Sequence, residues 1–348
     1  MENRINWVDY AKGAGIILVV YGHVIRGLQQ NLPESFYFIS DTLVYGFHMP
    51  LFFFLSGLFA EKWSKRDYKT AIKQKVKMLA YPYFLWSFIQ CSFNIIFSSY
   101  TNTKMNVGDY FRILYKPIGQ FWFLYVIFLM YLAYYILRKF FNIRHVLLIS
   151  ILMFLFSPFV KIWILGAFFS KFIFFVIGSF LMSEYDFEHK IKIFAKSEII
   201  CLTCTSFLVW NYIYIGTFYK FTLFEDAIMD FFIALLGILL CLCLSVFLST
   251  RNMAKSLKYI GTLSMVIYVA HILATAGTRI IMMRFFNITN IGEIAFSAMV
   301  LGVALPIMIC EISKKLGLSL ILFGNVQYKN LFPKEIFIYS KFFRHTIE

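Results

Sequence analysis

Charge is what this sequence has least of. Only 15% of its 348 residues are Asp, Glu, Lys or Arg, against 60% hydrophobic residues and a mean hydropathy of +0.73. A soluble domain carries about 25% charged residues, so the shortage excludes an ordinary water-soluble fold and points to a bilayer. Long polar stretches are missing too. The longest, from Ser99 to Lys116, has aromatics of its own and is too short for a second, soluble domain. The six cysteines, Cys91, Cys201, Cys204, Cys241, Cys243 and Cys310, all fall in apolar runs, which argues against disulfides. Cys201 and Cys204 make a CxxC pair with no second ligand pair nearby, so packing is the expected role. There is no Walker loop, no Gly-x-Ser-x-Gly elbow and no His-Glu-x-x-His zinc motif. ATP hydrolysis, serine-esterase chemistry and metalloprotease chemistry are therefore poor readings, and no metal is implied.

What the chain does have is a series of uncharged runs close to the ~20 residues that cross a hydrocarbon layer. Six span 42–60, 78–103, 117–137, 199–219, 231–250 and 259–278. Shorter or charge-bearing candidates span 13–24, 145–160, 162–183 around Lys171, and 294–310. The reading is an all-α, polytopic membrane protein of about ten helices, one domain over 1–348. Arg4 and Lys12 precede the first apolar core, but no small-x-small cleavage site follows before Arg26, so the segment reads as a retained helix.

The net charge of +15 is unevenly spread. Lysine and arginine gather at 62–77, 138–144, 190–196, 251–258 and in a tail at 313–348, while the alternate loops hold few. This is the positive-inside bias. It places both termini in the cytoplasm and needs no nucleic-acid partner. The basic linker 62–77 is expected as an amphipathic surface helix, and 316–328, too short to cross, as an interfacial one.

Ionisable residues inside a membrane are costly and mark either function or a paired structural site. The first span carries Lys12 and His23, eleven positions apart. At about 100° per residue they share a face, separated axially by roughly 16 Å. One helix then touches both ends of a long substrate. Gly15 and Gly22 lie near that face and allow close approach of a ligand or another helix.

Those residues carry a resemblance. The Trp7-x-Asp9, Lys12-Gly13 and Gly22-His23 elements are similar to the opening of acyltransferase-3 proteins, whose signature is a basic residue, ten intervening residues and a histidine. Residues 46–57 and 261–271, the latter ending in His271, resemble the family's second and late segments, with weaker matches at 79–83 and 119–124. The resemblance implies an O-acyltransferase that moves an acyl group, acetyl above all, from a cytoplasmic acyl-CoA to a cell-surface or lipid-linked glycan such as an O-antigen or exopolysaccharide. Many members place arginines before the third span's proline, whereas here Lys73, Lys75 and Lys77 precede Pro82. Lysine meets phosphate as a point charge without arginine's bidentate fork. With Lys12 they are the candidate donor-binding cations.

Transfer to a hydroxyl needs a base near neutrality, and imidazole suits it, which makes His23 the candidate base or acyl carrier. His48, seven positions after Asp41, shares a face with it. The pair either orients His23 or binds the acceptor, unless His48 simply bonds a backbone carbonyl freed near Pro50. Ser264, Tyr268 and His271 lie at offsets of four and seven on one face, lining a donor or acceptor cavity or serving polar packing. Gln120 and Trp122 begin a span at the outer face, where an acceptor glycan would arrive. Lys171, Asp230 and Arg279 either pair, bind the glycan or snorkel. The alternative function is a transporter or exporter of a glycan or small solute. The want of an internal repeat weakens that alternative.

Overall fold

The computed structural model describes residues 5–101, 105–185, 187–217 and 222–324, and every element among them is helical. α1 (Asn6–Gly27) runs from the lysine-rich face to the opposite one, and α2 (Glu34–Tyr45) and α3 (His48–Gly57) return across it. α4 (Ala60–Ser64) and α5 (Tyr68–Lys75) lie on the lysine-rich side, ahead of α6 (Tyr81–Ile96). The short α7 (Asp109–Arg112) precedes α8 (Trp122–Phe140), α9 (Ile143–Phe156) and α10 (Trp163–Glu184). After α11 (Phe187–Lys190) come α12 (Ser197–Thr217), α13 (Leu223–Thr250), α14 (Lys255–Thr262), α15 (Ser264–Ile280), α16 (Ile291–Lys315) and α17 (Ser319–Phe323).

Among the described residues eight helices are long and apolar enough to cross a membrane, counting α2 with α3 as one. α6 and α9 are apolar and shorter, 16 and 14 residues. The ten expected runs thus resolve into eight long helices and two short ones. Several boundaries move. The run at 259–278 divides at Leu263 into α14 and α15, and the basic linker 62–77 is two helices because Asp67 caps a new start, accepting from the Thr70 amide at 3.2 Å. A π-turn at Val76–Ala80 leads into α6, where Pro82 stands in the first turn and has no N–H to give. Of the expected interfacial segment 316–328 the described part holds α17, and residues 325–348 of the tail lie outside the described residues, as do 102–103 and 218–219 at the ends of two expected spans.

α1 is the hub, packed against α2, α3, α13, α14, α15 and α16. Glycine sets its closest approach: a methyl group on Gly13 would overlap the Leu257 carbonyl of α14, and one on Gly261 the Asp9 carbonyl of α1. A second such seam joins α3 to α10, with Gly57 on the Phe175 carbonyl and Gly178 on the Phe54 carbonyl. Backbones meet this closely in membranes only where side chains are absent, because dispersion and not hydrophobic exclusion holds the helices together. On the lysine-rich side, Glu61 of α4 accepts from Nε and Nη2 of Arg138, both at 2.8 Å, and from Tyr134 at 2.8 Å. The Arg138 guanidinium holds the Glu61 carboxyl below its ordinary 4.5.

Candidate active site

A cavity of about 280 Å³ opens on the face opposite the lysines, between α1, α6, the turn before α8, α15 and α16. His23 lies at its inner end. The ring is half-buried and its nitrogens bond to no described residue. The neighbouring α15 brings His271 alongside, ring centroids 5.0 Å apart. His271 is wholly buried, and its Nδ1 faces two backbone carbonyls, Tyr268 at 2.8 Å and Ile267 at 3.1 Å. A carbonyl only accepts, so Nδ1 carries the hydrogen and Nε2 keeps a lone pair. That Nε2 is buried and has no partner among the described residues. An orphaned buried acceptor costs about 1–3 kcal/mol, so the site holds an open place for a donor hydrogen beside His23.

Across the cavity Gln90 and Gln120 form a reciprocal amide pair at 3.3 and 2.8 Å, and the Tyr268 hydroxyl donates to the Gln120 carbonyl. Gly119, at φ +47°, makes the turn that presents Gln120, a conformation in which a Cβ is strained. At the mouth Arg26 grips Asp41 with two hydrogen bonds, 2.6 and 2.9 Å, and lies flat on Tyr45, 3.2 Å from the ring centroid. Arg279 donates to the Gly27 carbonyl at the end of α1.

Below the residues that line the cavity, between His23 and Lys12 along α1, packed aromatic rings form a floor. Tyr268 touches Phe123 (5.5 Å between centroids) and Phe123 touches Phe52 (6.0 Å), which lies against Gly15 of α1. Lys12 is on the far side of this floor. There it meets Lys75, which is 8% exposed with its ammonium 3.3 Å from the Tyr131 ring centroid. Burial, with the charges of Arg66 and Lys12 added, pushes the Lys75 ammonium down to about 7.

The structure brings His23, His271, Tyr268 and Gln120 together, and separately Lys12 and Lys75. Other candidates fall elsewhere. Asp41 turns to Arg26 and not to His23, because the helix breaks at Gly46–Phe47 and the seven-residue register to His48 is lost. His48 instead has Nδ1 on the Val44 carbonyl freed by that break, 2.7 Å away, and its ring packs on Tyr45. Lys73 and Lys77 face outward, and Ser264 sits two turns below His271 outside the cavity lining. Trp122 packs between Phe53 and Trp163 and does not line the cavity. Lys171 and Asp230 lie within reach of each other's charge on α10 and α13. Sequence reasoning missed Arg26 and Gln90 and left Arg279 unassigned. The available signal was spacing: Arg26 follows His23 by three residues and Arg279 follows His271 by eight, both on the same helix face.

Known proteins supply a family for the chain. A family model described as an acyltransferase domain matches residues 5–310. Nodulation protein NolL of Sinorhizobium fredii is 29% identical over 143 residues, and NolL of Mesorhizobium japonicum is 28% identical over 148. Each match covers 40% of this chain and 37% of the relative, so the similarity spans well under half of these curated proteins. No solved structure matches. Because the family match runs over nearly the whole helical bundle, from the start of α1 into α16, the chain belongs to the acyltransferase-3 family of multi-pass membrane acyltransferases.

Proposed function

We propose that the protein is an O-acetyltransferase that takes acetyl from acetyl-CoA on the lysine-rich, cytoplasmic face of the inner membrane and delivers it to a hydroxyl of a cell-surface or lipid-linked glycan seated in the cavity. The observation that carries the reading is the pairing of His23 with a His271 whose Nε2 lone pair meets no donor among the described residues. If His23 gives one N–H to His271 Nε2, its other nitrogen presents a lone pair to the cavity, the base-and-orienter logic of hydrolytic triads. As the sugar oxygen attacks the thioester carbon, its proton passes to His23. A C–O bond forms, the C–S bond breaks, and the thiol leaves with that proton. A route in which His23 first carries the acyl group uses the same atoms in two transfers.

Lys12 and Lys75 fit the donor's phosphates. Lys12 lies close enough to act on Lys75 by charge, and two cations brought this near one another favour the arrival of an anion. The extended thioester arm then spans the roughly 16 Å from Lys12 to His23, passing the Phe52–Phe123 contact. Acetyl transfer from labelled acetyl-CoA to the glycans of the host membrane tests the reading. His23→Ala should insert and fold yet transfer nothing, and near-wild-type labelling by that variant rejects it.

A further inference from the structure

We propose that the cavity selects an acceptor bearing an anion, a carboxylate or a phosphate, held at its mouth by Arg279. This rests on the acyltransferase reading and narrows its acceptor.

The two arginines at the mouth differ in what they have left to give. Arg26 spends Nε and Nη2 on both oxygens of Asp41 and its face on Tyr45. Arg279 makes one bond, from Nη1 to the Gly27 carbonyl, and meets no carboxylate among the described residues. A guanidinium has five N–H donors and cannot be deprotonated in a protein. Such a cation inside an apolar helical wall is expensive and marks a pathway or a ligand. The guanidinium reaches the end of α1 only because Gly27 has no side chain, since a Cβ there would stand 3.3 Å from Arg279 Nη1, and it lines the cavity. Among the described residues no acidic side chain lines the cavity, the carboxylate at its mouth, Asp41, being held by Arg26, and the remaining polar lining, Gln90, Asn94, Gln120 and Thr275, is neutral and suited to sugar hydroxyls.

The spacing fits a sugar. Arg279 lies eight residues beyond His271 on α15, roughly 12 Å along the axis. An anion at the guanidinium and a hydroxyl at His23 are then about two sugar rings apart at most. A purely structural Arg279, one that only caps the carbonyl end of α1, would satisfy the helix dipole but would not discriminate between acceptors.

The test uses the full-length protein in nanodiscs of zwitterionic lipid, with three probes: a galacturonic-acid trisaccharide, its carboxyl-reduced counterpart and inorganic pyrophosphate. The wild type should bind at least one charged probe roughly tenfold tighter than the reduced sugar, and Arg279→Gln should remove that preference. Of the binding that Arg279→Gln removes, the trisaccharide's share identifies a carboxylate site and pyrophosphate's a phosphate site, whereas pyrophosphate held equally by wild type and variant is bound elsewhere. Equal binding of charged and neutral probes by the wild type, or a preference that survives in both Arg279→Gln and Arg279→Ala, overturns the proposal. Coenzyme A binding, measured in the same preparation, separates the two readings. Coenzyme A bound without either anion sinks the anion site alone, whereas an anion bound at Arg279 without coenzyme A upholds that site and sinks the donor assignment.

Discussion

Replacing Lys75 with methionine should make the protein more stable and a worse enzyme. The lysine is buried and titrates near 7 instead of its ordinary 10.5. Between those values the unfolded chain binds a proton that the folded chain releases, so the wild type gains stability as pH rises. Relative to a neutral side chain the penalty is on the order of 4 kcal/mol at pH 7 and about 2 kcal/mol at pH 9. The contact with the Tyr131 face, worth about 1–2 kcal/mol when desolvated, offsets part of it. Methionine keeps the stem and the aromatic contact, which leaves Lys75→Met roughly 2–3 kcal/mol more stable at pH 7. Melting in detergent followed by intrinsic fluorescence should show a higher apparent Tm for the variant at pH 7 and a gap that narrows by pH 9. Titration calorimetry should show weaker coenzyme A binding, by about tenfold for a lost charge-assisted bond. A variant that melts below the wild type at pH 7, or a gap that does not change with pH, refutes the reasoning.

Three further outcomes follow from the same geometry. His271→Ala should lower the transfer rate by about 10²-fold and displace the pH–rate profile, with KM for acetyl-CoA unmoved; a profile that stays in place would make His271 mere packing. Phe52→Ala removes part of the floor, so acetyl-CoA should be hydrolysed without acceptor, read as free thiol in an acceptor-free assay, and no rise above wild type counts against the floor. Glu61→Gln should cost roughly 2–3 kcal/mol by leaving Arg138 half-partnered. Because the Glu61 carboxyl sits below 4.5 in the fold, that advantage is complete above this value and is lost on further acidification, so wild type and variant should melt together in strong acid.

The sequence was most legible where one physical constraint acts alone. Hydrocarbon thickness marks the apolar runs, which fold into eight long helices and two shorter ones among the described residues. It was least legible where a helix breaks. Asp41 and His48 are in phase only if 34–57 is one helix, and the interruption at Gly46–Phe47 rotates Asp41 away to Arg26. The lysine row before Pro82 shows the same limit, since spacing cannot tell that Lys75 turns inward while its neighbours face outward. Gln90 had no local signature, because its partner Gln120 is thirty residues away and the pair exists only once α6 meets the turn before α8.

The rings of Phe52, Phe123 and Tyr268 have a meaning for the cell as well as for the reaction. In the proposed reaction, coenzyme and glycan stand in separate aqueous compartments and a two-carbon group passes from one to the other. On that proposal, packed aromatics would let a small cargo through on a tethered arm while closing the path around it, so that a glycan outside could be acetylated without opening a leak for protons.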